Sequence, residues 1–186
     1  MACRPITRTD PAGGYWGVDA SFRYGGASVI LDTITGVLDT GTSLVYIATG
    51  KITLTPTKYL YRLISPTLDA YNRYVDATGA VVDQDTGLLS ITSAQYANLQ
   101  SLFFVASGNT YELTANAQIW PRTLNNVIGG KSDSIYLVVQ DIGQTAQSGM
   151  DFICGMTFLE RFYTVYDTGN SRLGLATTQF TNAIAN

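Results

Sequence analysis

The amino-acid sequence predicts a mainly β domain with a few short helices. Three observations carry this expectation. Short runs rich in Val, Ile, Tyr, Phe and Thr recur along the chain, bounded by clusters of Gly, Asp, Asn and Ser. Segments that combine helical periodicity with a capping residue are sparse. Of the 186 residues 46% are hydrophobic and 13% charged, enough apolar surface for one ordinary core and too much for a disordered chain. Residues 1–186 are therefore read as a single domain.

Taken in order, strands are expected over residues 15–22, 27–31, 36–38, 44–47, 102–106, 111–113, 135–139 and 162–166, where apolar and β-branched side chains concentrate. The run Asp167-Thr168-Gly169-Asn170-Ser171 separates 162–166 from 172–176 and predicts a hairpin. Helices are expected over 69–75, behind a capping Asp69, and over 92–99, behind Thr92. Residues 156–161 could add one or two further turns.

Composition excludes several functions. There is no histidine, which removes Ser-His-Asp and Cys-His catalysis and His-ligated zinc. Acid–base chemistry must come from carboxylates, tyrosines or lysines, and 12 of the 14 acids are Asp. A net charge of −3 offers no basic excess for nucleic-acid phosphates. No stretch approaches the roughly 18 apolar residues of a membrane span, and the N-terminal run MACRPITRTDPAGG has no apolar signal-peptide core. Cys3 and Cys154 form no CxxC motif, and Cys154, within Phe152-Ile153-Cys154-Gly155, reads as a buried core residue. No metal or cofactor is expected.

Asp-Thr-Gly occurs three times, at 39–41, 85–87 and 167–169. Asp and Gly are ordinary turn residues, so context decides. Asp85 follows polar Asp83 and Gln84, and Asp167 precedes Asn170 and Ser171; both read as turns. Asp39 instead sits between Gly36-Val37-Leu38 and Leu44-Val45-Tyr46-Ile47. A carboxylate enclosed by apolar strands needs dense hydrogen bonding to stay charged. The Gly41 amide and the hydroxyls of Thr42 and Ser43 can supply it. A catalytic carboxylate and a structural loop both fit these residues.

Val37-Leu38-Asp39-Thr40-Gly41-Thr42-Ser43 resembles the second active-site motif of pepsin-like aspartic proteases. The run from Phe152 through Phe158-Leu159-Glu160-Arg161 to Phe162-Tyr163-Thr164-Val165-Tyr166-Asp167 resembles the closing segment of that family, and Asn170 to Ala176 its final hairpin. Tyr15-Trp16, Leu102-Phe103-Phe104 and Tyr111-Glu112-Leu113-Thr114 are similar to earlier parts of its C-terminal lobe. Gln118-Ile119-Trp120-Pro121-Arg122 resembles the secreted fungal, polyporopepsin-like branch. Met156 departs from the pattern, since many members carry Asp there.

The resemblance implies a single lobe of a bilobal acid-protease fold, without a cofactor. In that family each lobe supplies one Asp; one activates a water and the other acts as acid toward the scissile carbonyl, their protonation coupled by proximity. Asp39 would be the C-terminal-lobe catalytic Asp. Thr40 would link the two active-site loops, Gly41 and Thr42 would lie along the bound peptide, and Ile153, Cys154 and Gly155 would close the loop beneath Asp39. Neither other Asp-Thr-Gly replaces a first lobe. The implied partners are a peptide or protein substrate and a missing N-terminal lobe or second chain. The implied location is secreted. The competing reading is an inactive pepsin-like scaffold that acts as a binding protein.

Residues 50–68 stand apart. They carry three of the eleven basic residues and none of the fourteen acids, so the remainder of the chain has a charge of −6. Joining Thr49 to Asp69 gives Ile47-Ala48-Thr49-Asp69-Ala70-Tyr71, which resembles the family's strand-to-helix passage after the active-site loop. Gly50-Lys51 permits a splice-donor-like codon pair. The segment is read as an insertion or an intron retained in frame.

Overall fold

The computed structural model describes residues 2–49, 69–145 and 147–186. The proposed insertion at 50–68 lies outside the described residues. Among those described, β-strands dominate and helices are short.

The chain opens with β1 (Ala2–Pro5), then β2 (Gly17–Tyr24), β3 (Ser28–Leu38) and β4 (Val45–Thr49). Helix α1 (Ala70–Thr78) starts at Asp69, whose side chain accepts from Asn72 N–H at 3.3 Å, and stops at left-handed Gly79. Strands β5 (Val81–Val82) and β6 (Leu89–Ile91) lead to α2 (Ser93–Ala97), which opens with a reciprocal Thr92–Gln95 capping box. Next come β7 (Leu102–Ala106) and β8 (Asn109–Leu113), joined by Ser107 and Gly108, both at positive φ. Two such residues make the tight turn whose twist suits a hairpin. The chain ends with β9 (Ile135–Tyr136), β10 (Val139–Thr145), β11 (Phe152–Cys154), α3 (Met156–Leu159), β12 (Phe162–Asp167) and β13 (Arg172–Thr177).

A seven-stranded sheet runs β10-β4-β11-β3-β2-β7-β8; two three-stranded sheets run β1-β13-β12 and β5-β6-β9. Phe104 on β7 is fully buried at the centre of the core. Its ring lies 5.3 Å from Phe22, 5.7 Å from Phe152 and 5.1 Å from Phe158, all edge-on. Phe152 and Phe158 flank the turn at Cys154-Gly155, so the core clamps that turn from both sides.

Three strand expectations are corrected. Residues 27–31 and 36–38 belong to one strand, β3, whose middle turns Asp32 and Thr33 to solvent and so breaks the apolar run. Residues 135–139 are not one strand. They are buried throughout but pass from the sheet of β5 and β6 to the large sheet, and Leu137 N–H is taken by Leu89 O and Val138 N–H by Gln118 O. A continuous apolar run does not distinguish a strand from such a crossing. β1 had no expectation; its pairing with β13 defines it.

Gln118 is fully buried and binds several segments at once. Its Nε2 donates to the carbonyls of Gln100 (2.9 Å), Leu113 (3.0 Å) and Thr114 (3.3 Å), and its Oε1 accepts from the Tyr74 hydroxyl (3.0 Å). Gln118→Leu leaves that hydroxyl and these carbonyls short of partners, and each buried loss is costly. A urea melt is expected to show a loss of about 2–4 kcal/mol.

Candidate active site

β3 ends and β4 begins on either side of β11, and residues 39–44 loop from one to the other. β11, more than a hundred residues later, lies between the two strands. It runs parallel to β3, pairing Ile153 with Val37 and Cys154 with Leu38, and antiparallel to β4, pairing Ile153 with Tyr46. The three strands hold the Asp39 loop on a rigid base. The Asp39 N–H donates to Cys154 O at 3.0 Å.

Beyond β11 three successive amides grip the loop. Gly155 N–H donates to Leu44 O at 3.0 Å, Met156 N–H to Thr42 O at 2.8 Å and Thr157 N–H to Ser43 O at 2.9 Å. The first amides of α3, which have no partners within the helix, are thereby satisfied by loop carbonyls. Gly155 permits this approach: a Cβ there would lie 2.5 Å from both Thr42 O and Leu44 O.

The Asp39 side chain is half-buried at the loop mouth. Its Oδ1 accepts the Gly41 N–H at 2.9 Å and its Oδ2 the Thr42 hydroxyl at 2.5 Å. Each oxygen is thus held by a different donor, which fixes the carboxyl plane while leaving lone pairs open. Among the described residues the Ser43 hydroxyl makes no bond to Asp39; Ser43 contributes its carbonyl, to Thr157. Thr40, Gly41 and Ser43 are exposed, and Ile153 is half-buried on β11. Below the loop, Leu38 N–H donates to Trp16 O at 3.1 Å, and the Trp16 ring packs edge-on against Tyr166 at 5.0 Å. Burial pushes the Tyr166 phenol above its ordinary range, with smaller contributions from Asp39 and Cys154.

A cavity of about 510 Å³ opens beside the loop, along Gly41, Thr42 and Ser43. Tyr46, Leu88, Trp120 and Ile128 wall it, and Thr86 sits at its edge. Sequence reasoning did not identify these wall residues as a group. Trp120 belongs to the motif that resembles the fungal branch, and Thr86 to an Asp-Thr-Gly that reads as a turn. That turn is real: Asp83 accepts Thr86 N–H and hydroxyl, both at 2.9 Å, and Asp85 is exposed. The third Asp-Thr-Gly is also a turn, with Asp167 accepting from Asn170 and from Arg172 Nε at 2.6 Å. The side-chain bond from Asn170, followed by that from Arg172, holds the Asp167 carboxyl below its ordinary range. Cys3 and Cys154 are both free thiols, and Cys154 is buried. Among the described residues no group of His, Cys, Asp or Glu is placed to hold a metal ion.

A sequence model of the eukaryotic aspartyl protease family matches residues 2–178, nearly the whole chain. The chain belongs to this family. This aspartyl protease-family chain is 54% identical to polyporopepsin of Irpex lacteus over 182 residues, which cover 98% of the chain and 48% of that relative. It is 29% identical to human gastricsin over 142 residues, 76% of the chain and 29% of gastricsin. The crystal structure of the aspartic proteinase from Irpex lacteus superposes with a TM-score of 0.87 at 54% identity, covering 99% of the chain and 48% of the solved one. The mainly β architecture is therefore the pepsin-like fold. The chain spans about half the length of polyporopepsin and of that solved proteinase.

Proposed function

We propose that this chain supplies one half of an acid endopeptidase, with Asp39 as one of its two catalytic carboxylates. The observation that carries the reading is the Asp39 carboxyl itself. Both oxygens are fixed, by Gly41 N–H and Thr42 hydroxyl, and these two donor residues line a cavity large enough for a peptide side chain. Thr40, Gly41, Thr42, Ser43, Ile153 and Gly155 form or support the loop along which the peptide lies.

One carboxylate cannot be base and acid in the same step. Hydrolysis needs a base that takes a proton from water as its oxygen bonds to the scissile carbonyl carbon. It also needs an acid that gives a proton to the carbonyl oxygen. Asp39 fills one role, and a carboxyl from an N-terminal lobe or a second chain fills the other. One feature supports a docking partner: the sheet β1-β13-β12 ends in two strands that pair only with β13 among the described residues, with Tyr163 on β12 59% exposed. The substrate is a peptide or unfolded protein, and the working location is outside the cell in acidic surroundings.

The test is proteolysis of an unfolded protein at acid pH by the purified chain mixed with the complementary half of a polyporopepsin-like enzyme. Activity blocked by a pepstatin-type inhibitor is expected. An assembled complex without activity would overturn the reading and favour a binding scaffold.

The segment 50–68 is proposed to be an insertion. β4 ends at Thr49, α1 starts at Ala70, and α1 packs against β3 and β4. A chain lacking these residues is expected to melt no lower than the full chain, and mature transcripts are expected to lack the segment. A spliced message that encodes it contradicts the intron reading.

A further inference from the structure

Asp151 stands where β11 enters between β3 and β4. Its N–H donates to Thr35 O on β3 at 2.7 Å, and its carbonyl accepts Ala48 N–H on β4 at 2.9 Å. The residue is 1% exposed. Oδ1 accepts Ser148 N–H at 3.0 Å, with the Ser148 hydroxyl at 3.4 Å. Oδ2 is buried and has no hydrogen-bond partner among the described residues.

Among the described residues no ion pair reaches this carboxyl. β3, β4 and the turn 147–151 contain no Lys or Arg. Among the described residues the charged groups on the elements around it are acids, apart from Arg23 on β2, which pairs with Val29 farther along β3. Asp32 on β3 lines, with Asp151, Thr9, Thr35 and Gln147, a second cavity that is also about 510 Å³. Asp10 presses its carbonyl against Gly149, where a Cβ would have no room. Asp19 on β2 takes the Thr35 hydroxyl at 2.6 Å. Arg8, next to Thr9, lines two other cavities.

We propose that Asp151 is a pH-sensitive clasp: neutral, it locks β11 in place and with it the Asp39 loop; ionised, it loosens both. The physical reason is asymmetric. A neutral carboxyl tolerates burial, whereas an anion with one unpaired oxygen does not. Burial pushes the Asp151 carboxyl above its ordinary range, and the N–H groups of Ser148, Gln147 and Gly149 pull it only part of the way back. A raised folded-state value has a fixed sign. The contribution to stability is fully present below the unfolded carboxyl value near 3.8 and is lost as pH rises through the raised one. The clasp does not depend on what Asp39 does.

The test is the melting temperature of the full chain from about pH 3.5 to 7, beside Asp151→Asn. The variant keeps an acceptor for Ser148 and cannot ionise. It is expected to melt about 2–4 °C above the native chain at pH 7 and no higher at pH 3.5. Parallel curves overturn the proposal. Carboxyl-carbon NMR on the unaltered chain decides the matter if the variant does not fold. Asp151 is expected to titrate above the ordinary carboxylate range, with exchange of the Asp39 and Ala48 amides quickening over the same range. Titration within the ordinary carboxylate range also overturns it.

Discussion

Asp39→Asn is expected to disable peptide hydrolysis by the assembled enzyme, a fall of about 10²–10⁴-fold in kcat, the scale of a lost general acid or base. The fold is expected to survive. The carbonyl oxygen of the introduced amide can still accept the Gly41 N–H, and its NH₂ group can donate to the Thr42 hydroxyl, so both anchors of the present carboxyl keep a counterpart. What disappears is the capacity to take and return a proton. The two readouts separate the chemistry from the scaffold: melting temperature unchanged within a few degrees, turnover lost. A variant that retains turnover removes Asp39 from the chemistry.

Gly155→Ala is expected to produce a large stability loss. The new Cβ would stand 2.5 Å from the carbonyl oxygens of Thr42 and Leu44 and 2.8 Å from the Thr42 carbonyl carbon. These are backbone atoms, and they are bound in turn by Met156 and Gly155 amides. The loop cannot retreat without breaking the bonds that hold it. A loss of about 3 kcal/mol follows, or about 6–12 °C in Tm. Peptide turnover is expected to fall with it, because residues 42–44 carry Thr42 and with it one of the two donors to Asp39. Gly87→Ala serves as a control for backbone strain alone: Gly87 has φ of +72° with open space around it, and it lies outside this loop. The smaller of the two losses is expected there.

How much was legible follows from the range of each interaction. Residues 102–106 were expected as a strand and are β7. The hairpin through 167–171 was expected, and its turn is built from local bonds among Asp167, Asn170 and Arg172. The setting of Asp39 between two apolar strands, unlike that of the other two tripeptides, could be read from its neighbours alone. The donors from Gly41 and Thr42 are two and three residues away, within reach of local reasoning. The placement of β11 between β3 and β4 could not be read this way, since its register joins residues more than a hundred positions apart. The cavity walls were equally out of reach. Tyr46, Leu88, Trp120 and Ile128 come from four separate segments and meet only in the folded chain. Asp151 was invisible for the opposite reason. An Asp after Gly149-Met150 reads as a turn residue, and only burial between two strands makes it unusual.

The most direct measurement is the rate of peptide cleavage at acid pH as this chain is titrated against a fixed amount of the complementary N-terminal half. A chain that supplies one of two catalytic carboxylates is inactive alone. Its rate rises with added chain and saturates at one chain per complementary half. Cleavage by the chain alone, growing as the square of its concentration and lost in Asp39→Asn, would contradict the half-enzyme and show two copies of Asp39 working together.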